Sequence, residues 1–355
     1  MTTAAGLAIP VHAENLSMKF GREIALRDLT IQIPRGAIYA LLGPNGAGKT
    51  TFIKLLLNIL RPTSGGATVL GLPSTRIAGE AFTDIGYVSE NQEMPEWMTI
   101  RQLLDYLRPF YPRWDVAVEQ QFLRQFDVPT GRKLKHLSRG QRMKAALLSV
   151  LPYNPALIIL DEPFSGLDPL VRDELTEGLL DRAALDDPPT ILVSSHDLAE
   201  IETLATHIGY LERGRLIFSE ESAALTERFR EVTVTLGAGA LNLSASETAT
   251  HVAGDAAGAA SAFSPRQVPS AALRGPKLGV AEAYPASWLM PERSASVFRF
   301  IHAHANAEPV AEQVGLRFPE SVAVELQPMS LRAIFLALAK SGRSDAQLAA
   351  RTKTE

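Results

Sequence analysis

Residues 43–50 read Gly43-Pro44-Asn45-Gly46-Ala47-Gly48-Lys49-Thr50, and no other stretch limits the possible folds as tightly. The spacing G-x-x-x-x-G-K-[ST] belongs to a loop whose glycines let backbone N–H groups converge on phosphate oxygens. Such a loop needs a strand before it and a helix after it, so that the positive end of the helix faces the anion. Both neighbours are predicted, a short apolar strand over 37–42 (AIYALL) and a helix over about 49–60. Average residue usage gives a chance match in roughly one chain in a hundred of this length, and the strand–loop–helix context makes chance a poor explanation. Lys49 is then placed to reach the β- and γ-phosphates of a nucleoside triphosphate, and the Thr50 hydroxyl to hold Mg²⁺. Thr51, next in line, is counted among the residues around the nucleotide.

Two further patterns bear on chemistry. The run 156–162 is an apolar strand ending in Asp161 and Glu162. Adjacent acids at a strand end are costly to desolvate unless a cation or a proton transfer uses them. Asp161 is expected to hold Mg²⁺ through water, and Glu162 to polarise an attacking water. Taken alone, a strand-to-turn boundary with solvated acids explains the pair equally well. Leu137-Ser138-Arg139-Gly140-Gln141 stands just before a predicted helix and forms a second anion-binding mouth. An isolated pattern of this kind is more often a plain serine N-cap. One triphosphate does not need two mouths, but two subunits arranged head to tail do, each covering the other's nucleotide.

The three elements in this order resemble the nucleotide-binding subunits of ABC transporters, over about residues 12–220. The resemblance implies ATP and Mg²⁺ as ligands, a second ATP-binding subunit as partner (a second copy or a related chain), and ATP hydrolysis. It implies that Phe20 stacks on adenine, although composition alone makes Phe20 a core residue at even odds. Ser138, Gly140 and Gln141 would face the partner's nucleotide. Asp168, in Ser165-Gly166-Leu167-Asp168, would communicate between subunits, and His196, after Ser194-Ser195, would contact the γ-phosphate. Glu90 stands where the family usually has a glutamine that serves Mg²⁺ and the attacking water, with Gln92 two residues on as a substitute. Arg139 stands where the signature usually has glycine. Both departures, with GLDPLVRDEL at 166–175, are similar to the type-two exporters of drugs and antibiotics, whose permease is a separate multi-span protein. The rivals are an importer ATPase with a C-terminal regulatory domain and a non-transport ABC ATPase acting on ribosomes or DNA.

The fold class expected is α/β, a P-loop ABC-type ATPase domain. It combines a mostly parallel sheet with an antiparallel β subdomain and a helical subdomain over about 91–150, followed by a small α+β C-terminal domain. The boundary is placed at 220/221. Antiparallel strands are predicted within 11–35, and strands at 85–90, 156–160 and 190–195, the last two each leading into a helix. Asp168 and Pro169 mark the first of these as N-cap and N1. Beyond 220 a strand at 231–239 precedes an Ala/Gly/Ser/Pro-rich stretch, 237–285, which is a linker or a loosely ordered insertion. A hairpin at 288–302, a helix at 307–314, a strand at 321–326 and a helix at 330–340 follow. A net charge of -4 gives no basic face for nucleic acid. The absence of cysteine excludes disulfides and thiolate sites. No stretch reaches the roughly 20 apolar residues of a membrane helix, and the first residues lack a basic n-region. The expected place is therefore the cytoplasmic face of a membrane, with Trp97 and Trp114 beside Glu90 as the permease's docking surface.

Overall fold

β3 (Ile38–Leu42) is buried along its whole length, as an apolar five-residue run in a parallel sheet must be. The computed structural model describes residues 9–236, 284–285, 287–294, 296–305, 309–319, 321–338 and 340. The chain divides into two compact units, Met1–Leu225 and Thr226–Glu355.

In the first unit β3 lies inside a six-stranded sheet. Its other members are β6 (Ile85–Ser89), β7 (Leu157–Asp161), β8 (Thr190–Ser195), β9 (His207–Glu212) and β10 (Arg215–Glu221). The order is β10-β9-β3-β8-β7-β6, parallel except for β10. A second, antiparallel sheet is built from β1 (Val11–Phe20), β2 (Glu23–Ile33), β4 (Ser64–Val69) and β5 (Leu72–Pro73), in the order β2-β1-β4-β5. Helix α1 (Lys49–Leu56) packs Phe52, Ile53 and Leu56 into the core that both sheets share. This is the mixed architecture expected from the sequence.

Between β6 and β7 the chain is helical: α2 (Ile100–Leu107), α3 (Val116–Gln125) and α4 (Arg139–Leu148). Thr99 with Gln102 and Ser138 with Gln141 form capping boxes at α2 and α4, the second of them at the N-cap read from the sequence. The α2–α3 region is organised around Glu119, which is fully buried. Its carboxylate accepts hydrogen bonds from Arg101 Nη1 at 3.1 Å, Arg108 Nη2 at 2.8 Å and Trp114 Nε1 at 2.9 Å. Trp114 is therefore half-buried and tied inward, against the expectation of an exposed docking residue, whereas Trp97 is 67% exposed. The indole N–H found a buried carboxylate, which a sequence reading of aromatic content could not show.

After β7, α5 (Pro169–Ala183) begins at Asp168, whose side chain accepts from Val171 N at 3.1 Å. β8 does not lead into the expected α-helix; a 3-10 turn over Leu198–Glu200 takes its place. Ser195 Oγ donates to Glu200 Oε2 at 2.6 Å and accepts from Asp197 N at 3.0 Å, while the Asp197 side chain caps the turn by accepting from Ala199 N at 3.0 Å. A short helix, α6 (Ser222–Arg228), leads out of the first unit.

The second unit is an antiparallel sheet of β11 (Arg230–Leu236), β12 (Trp288–Arg293), β13 (Val297–His302) and β14 (Ser321–Pro328), in the order β12-β13-β11-β14. Helix α7 (Val310–Arg317) and a helix over 331–338 complete it. Its core is aromatic: Trp288 stacks on Phe300 with centroids 4.0 Å apart, and Phe298 meets Phe318 at 4.7 Å. The low-complexity stretch 237–285, apart from 284–285, and the tail after Ser341 lie outside the described residues.

Replacing Glu119 by alanine strands three donors at once. Arg101 and Arg108 are 43% and 38% exposed and regain water, so the expected loss is about 1–3 kcal/mol rather than more. Urea unfolding followed by tryptophan fluorescence checks it, with the Trp114 signal moving to lower denaturant.

Candidate functional site

Strand register gathers the site. Leu42 pairs with Ser195 across β3–β8, Asp161 with Ser194 across β7–β8, and Ser89 with Asp161 across β6–β7. The next residue on each strand is Gly43, His196, Glu162 and Glu90. Gly43 and three residues that lie 47, 119 and 153 positions further along the chain thus meet at the carboxyl edge of one parallel sheet, where open α/β sheets place their ligands.

The loop after β3 is shaped by close backbone approach. A Cβ on Gly43 would lie 2.2 Å from Leu211 O, and one on Gly48 would lie 2.6 Å from Ala25 O, with Gly48 at φ +111°. Only glycine fits either position. Ala47 is buried, while Pro44, Asn45, Gly46 and Thr50 face solvent and Thr51 is half-buried. The loop is thus closed behind and open in front. Lys49, 5% exposed, turns back under it and donates to Gly43 O at 2.6 Å and Pro44 O at 3.4 Å.

Lys49 Nζ also lies 3.0 Å from Glu162 Oε1, and His196 Nδ1 lies 2.8 Å from Glu162 Oε2. One carboxylate therefore stands between two basic groups. The hydrogen bond to Glu162 raises the His196 pKa above its ordinary value; burial pulls it down, the Glu162 and Glu200 charges push it up, and Lys49 opposes them. Glu162 sits at φ +52°, a left-handed conformation that costs a non-glycine residue about 1–2 kcal/mol. Its N–H is held by Ser194, through O at 3.2 Å and Oγ at 3.0 Å. Ser194 Oγ in turn donates to Asp161 Oδ1 at 2.6 Å. Asp161 is buried, so this carboxylate sits at the strand end with little water.

The remaining candidates divide. Phe20 ends β1 with 47% exposure, an aromatic face presented to solvent. Ser138 and Gln141 form the α4 capping box, and Gly140 lies so close to Val171 that a Cβ would be 3.0 Å from its side chain. Asp168 is exposed and caps α5. Gln92 Oε1 accepts from Ser89 N at 3.1 Å, folding that side chain back onto the strand end. Glu90 Oε1 accepts from Arg139 Nη2 at 2.8 Å and from Ser165 Oγ at 2.9 Å.

An oxygen donor set of one exposed hydroxyl, Thr50, and one buried carboxylate, Asp161, suits a hard divalent cation that keeps several waters. Among the described residues, Glu162, His196 and Glu200 also bring ligand atoms within 4.8 Å of one another. Glu200 is already taken by Ser195 and by Arg172 at 3.7 Å.

Residues 26–165 match the family described as ABC transporter. YtrB, an ABC transporter ATP-binding protein of Bacillus subtilis, is 30% identical over 222 residues, 62% of this chain and 75% of YtrB. The Nod factor export ATP-binding protein I of Burkholderia orbicola is 32% identical over 224 residues, 61% of this chain and 73% of that protein. The chain belongs to the ABC transporter ATP-binding proteins. A solved ATP-binding subunit of an ABC transporter superposes with TM-score 0.56 and 27% identity, over 61% of this chain and 92% of that one. The ABC ATPase domain hydrolyses ATP coupled to transport, and ABC ATP-binding subunits dimerise and act with a membrane component. The resemblance drawn from the sequence is borne out, as is the P-loop ABC fold.

Two roles and one pairing escaped the sequence reading of this ABC subunit. Ser194 joins Asp161 to the Glu162 backbone, Glu200 anchors Ser195, and Arg139 meets Glu90. Ser194-Ser195 before His196 was the available signal for the first of these: two small hydroxyls at a buried strand end need partners.

The raised His196 pKa sets a pH dependence. Its pairing with Glu162 contributes stability in full below the unfolded histidine value of about 6.5, and that contribution is lost as pH rises through the raised folded value. Glu162→Gln is expected to lower the His196 pKa toward the ordinary value, read by an NMR pH titration of the nucleotide-free chain. An unchanged His196 pKa would show that Glu162 is not what raises it.

Proposed function

We propose that this chain is the ATP-hydrolysing motor of an exporter whose membrane-spanning part is a separate multi-span permease, and that it works as a pair of ATP-binding subunits at the cytoplasmic face. The observation that carries the reading is the contact of Lys49 and His196 with the two oxygens of Glu162, at the mouth of a glycine-shaped loop. A triphosphate entering the loop offers Lys49 a stronger anion than Gly43 O and Glu162. The ammonium transfers to phosphate, and Glu162 is freed to accept the proton of an attacking water. His196 then donates toward the γ-phosphate while Ser194 keeps Glu162's strained backbone in place. Mg²⁺, held by Thr50 and Asp161, would supply charge neutralisation at the phosphates. Glu90, engaged by Arg139 and Ser165, is left out of the metal set in this reading.

Phe20 would stack on adenine, and the loop from Gly43 to Thr51 would surround the phosphates. Ser138, Gly140 and Gln141 of α4 would cover the second subunit's nucleotide, and Asp168 would touch that subunit. The export direction is supported by the named role of the Burkholderia relative. Among the described residues no helix is long and apolar enough to cross a membrane, which agrees with a separate permease. Its docking surface is assigned to the α2 region, where Trp97, Tyr106 and Phe110 are 67%, 54% and 60% exposed.

Glu162→Gln is expected to lower kcat for ATP at least about a hundredfold while ATP still binds, since general-base loss costs about 10²–10⁴. Steady-state phosphate release and nucleotide binding to the purified chain check both halves. Full turnover in this variant would remove Glu162 from the chemistry. Pull-down of the tagged chain from membranes tests the partner: a multi-span protein without ATPase motifs supports the permease, whereas ribosomal or DNA factors alone would overturn transport.

A further inference from the structure

Arg139 occupies the first turn of α4, immediately after the cap Ser138. A cation there faces the positive end of the helix dipole and is disfavoured unless an anion offsets it. The anion is Glu90, at the end of β6 and 49 positions away along the chain, bonded at 2.8 Å. The same oxygen, Oε1, takes the Ser165 hydroxyl at 2.9 Å. The guanidinium also lies against Gly166, where an added Cβ would be 3.2 Å from Arg139 Cζ. Gly166 is at φ +66°, so both its backbone shape and its bare face suit this contact. Ser165 N donates to Glu162 O at 3.3 Å, which places the contact one turn from the carboxylate between Lys49 and His196.

We propose that Arg139 is a positioning residue: through Glu90 it ties the start of α4 to Ser165, and so to the turn that carries Glu162, the three side chains acting as one unit. The proposal rests on the motor reading above, in which the start of α4 covers the second subunit's nucleotide. It adds a route within one chain from that mouth to the chain's own hydrolytic carboxylate. When α4 moves as the partner's nucleotide arrives or leaves, Arg139 carries the Glu90 carboxylate with it, and Ser165 follows. The pair is partly exposed, 49% at Arg139 and 38% at Glu90, so its role lies in geometry more than in stability.

Arg142 supplies an internal control. One turn further along α4 it makes a similar partly exposed pair with Glu96 at 3.1 Å, on the stretch before α2 and not on the strand end that meets Ser165. A loss that came only from loosening α4 would follow from either arginine.

The experiment is a double-mutant cycle on the full chain, with kcat and KM for ATP measured for wild type, Arg139→Gln, Glu90→Gln, the double variant and Arg142→Gln. Each single change in the Arg139–Glu90 pair is expected to lower kcat about fivefold to tenfold with KM held within about twofold, and the double variant to fall no further than the worse single, as for contacting residues that act together. Arg142→Gln is expected to stay within about twofold of wild type. Losses that multiply in the double variant, or an equal loss in Arg142→Gln, would overturn the proposal. Should Arg139→Gln prove unstable, Arg139→Ala keeps the test: with the cation gone, adding Glu90→Gln to it must cause no further fall in kcat. A wild-type chain without ATPase activity would instead count against the motor reading on which the proposal rests.

Discussion

Glu162 is held from two sides, by the buried ammonium of Lys49 and by the imidazole of His196. A lysine ammonium with 5% exposure is costly to bury without partners, and Glu162 and two loop carbonyls provide them. The same constraint explains the backbone. Glu162 adopts a left-handed conformation that only outside support makes tolerable, and Ser194 provides it while also binding Asp161. In the proposed motor reading a triphosphate would compete with Glu162 for Lys49, so the Lys49–Glu162 pair is the contact that ligand entry would take apart.

The parallel sheet makes this possible by register alone. With Ser89, Asp161 and Ser194/Ser195 paired in neighbouring strands, the residues that follow them cannot avoid meeting at one edge. The helical segment between β6 and β7 adds a second layer of control. Its frame depends on a buried carboxylate, Glu119, that orders α2 and α3, and its α4 reaches the sheet edge through Arg139. In the proposed coupling the packing inside that segment and the Arg139–Glu90 contact at its tip would act together as a lever on the turn that carries Glu162.

Much of this was legible in the residues because the physics was local. The phosphate loop needs glycines where the backbone of Leu211 and Ala25 comes close, and the Ser138 and Asp168 caps sit where their helices start. Alternating strands of the second unit showed through their periodicity, with β11, β12 and β13 near their expected places. What escaped was non-local. Two residues that depart from the family's usual pattern, Glu90 and Arg139, are each other's partner across 49 positions, and no window of sequence contains both. Where a helix was expected after β8 there is a 3-10 turn, around which Ser195 binds Asp197 and Glu200, side-chain contacts that propensity does not anticipate. Trp114 turned inward for the same kind of reason, a buried carboxylate supplied by α3.

The central claim is that Lys49 exchanges Glu162 for a triphosphate in a site that a second subunit completes. A structure of the chain with ATP and Mg²⁺ bound, in the Glu162→Gln background, tests it most directly. The account predicts Lys49 Nζ within about 2.7–3.2 Å of phosphate oxygen, adenine on Phe20, and Ser138 of a second copy or related chain against the γ-phosphate. Nucleotide bound away from the Gly43–Thr50 loop, or Lys49 still on the Gly43 and Pro44 carbonyls with phosphate present, would contradict it.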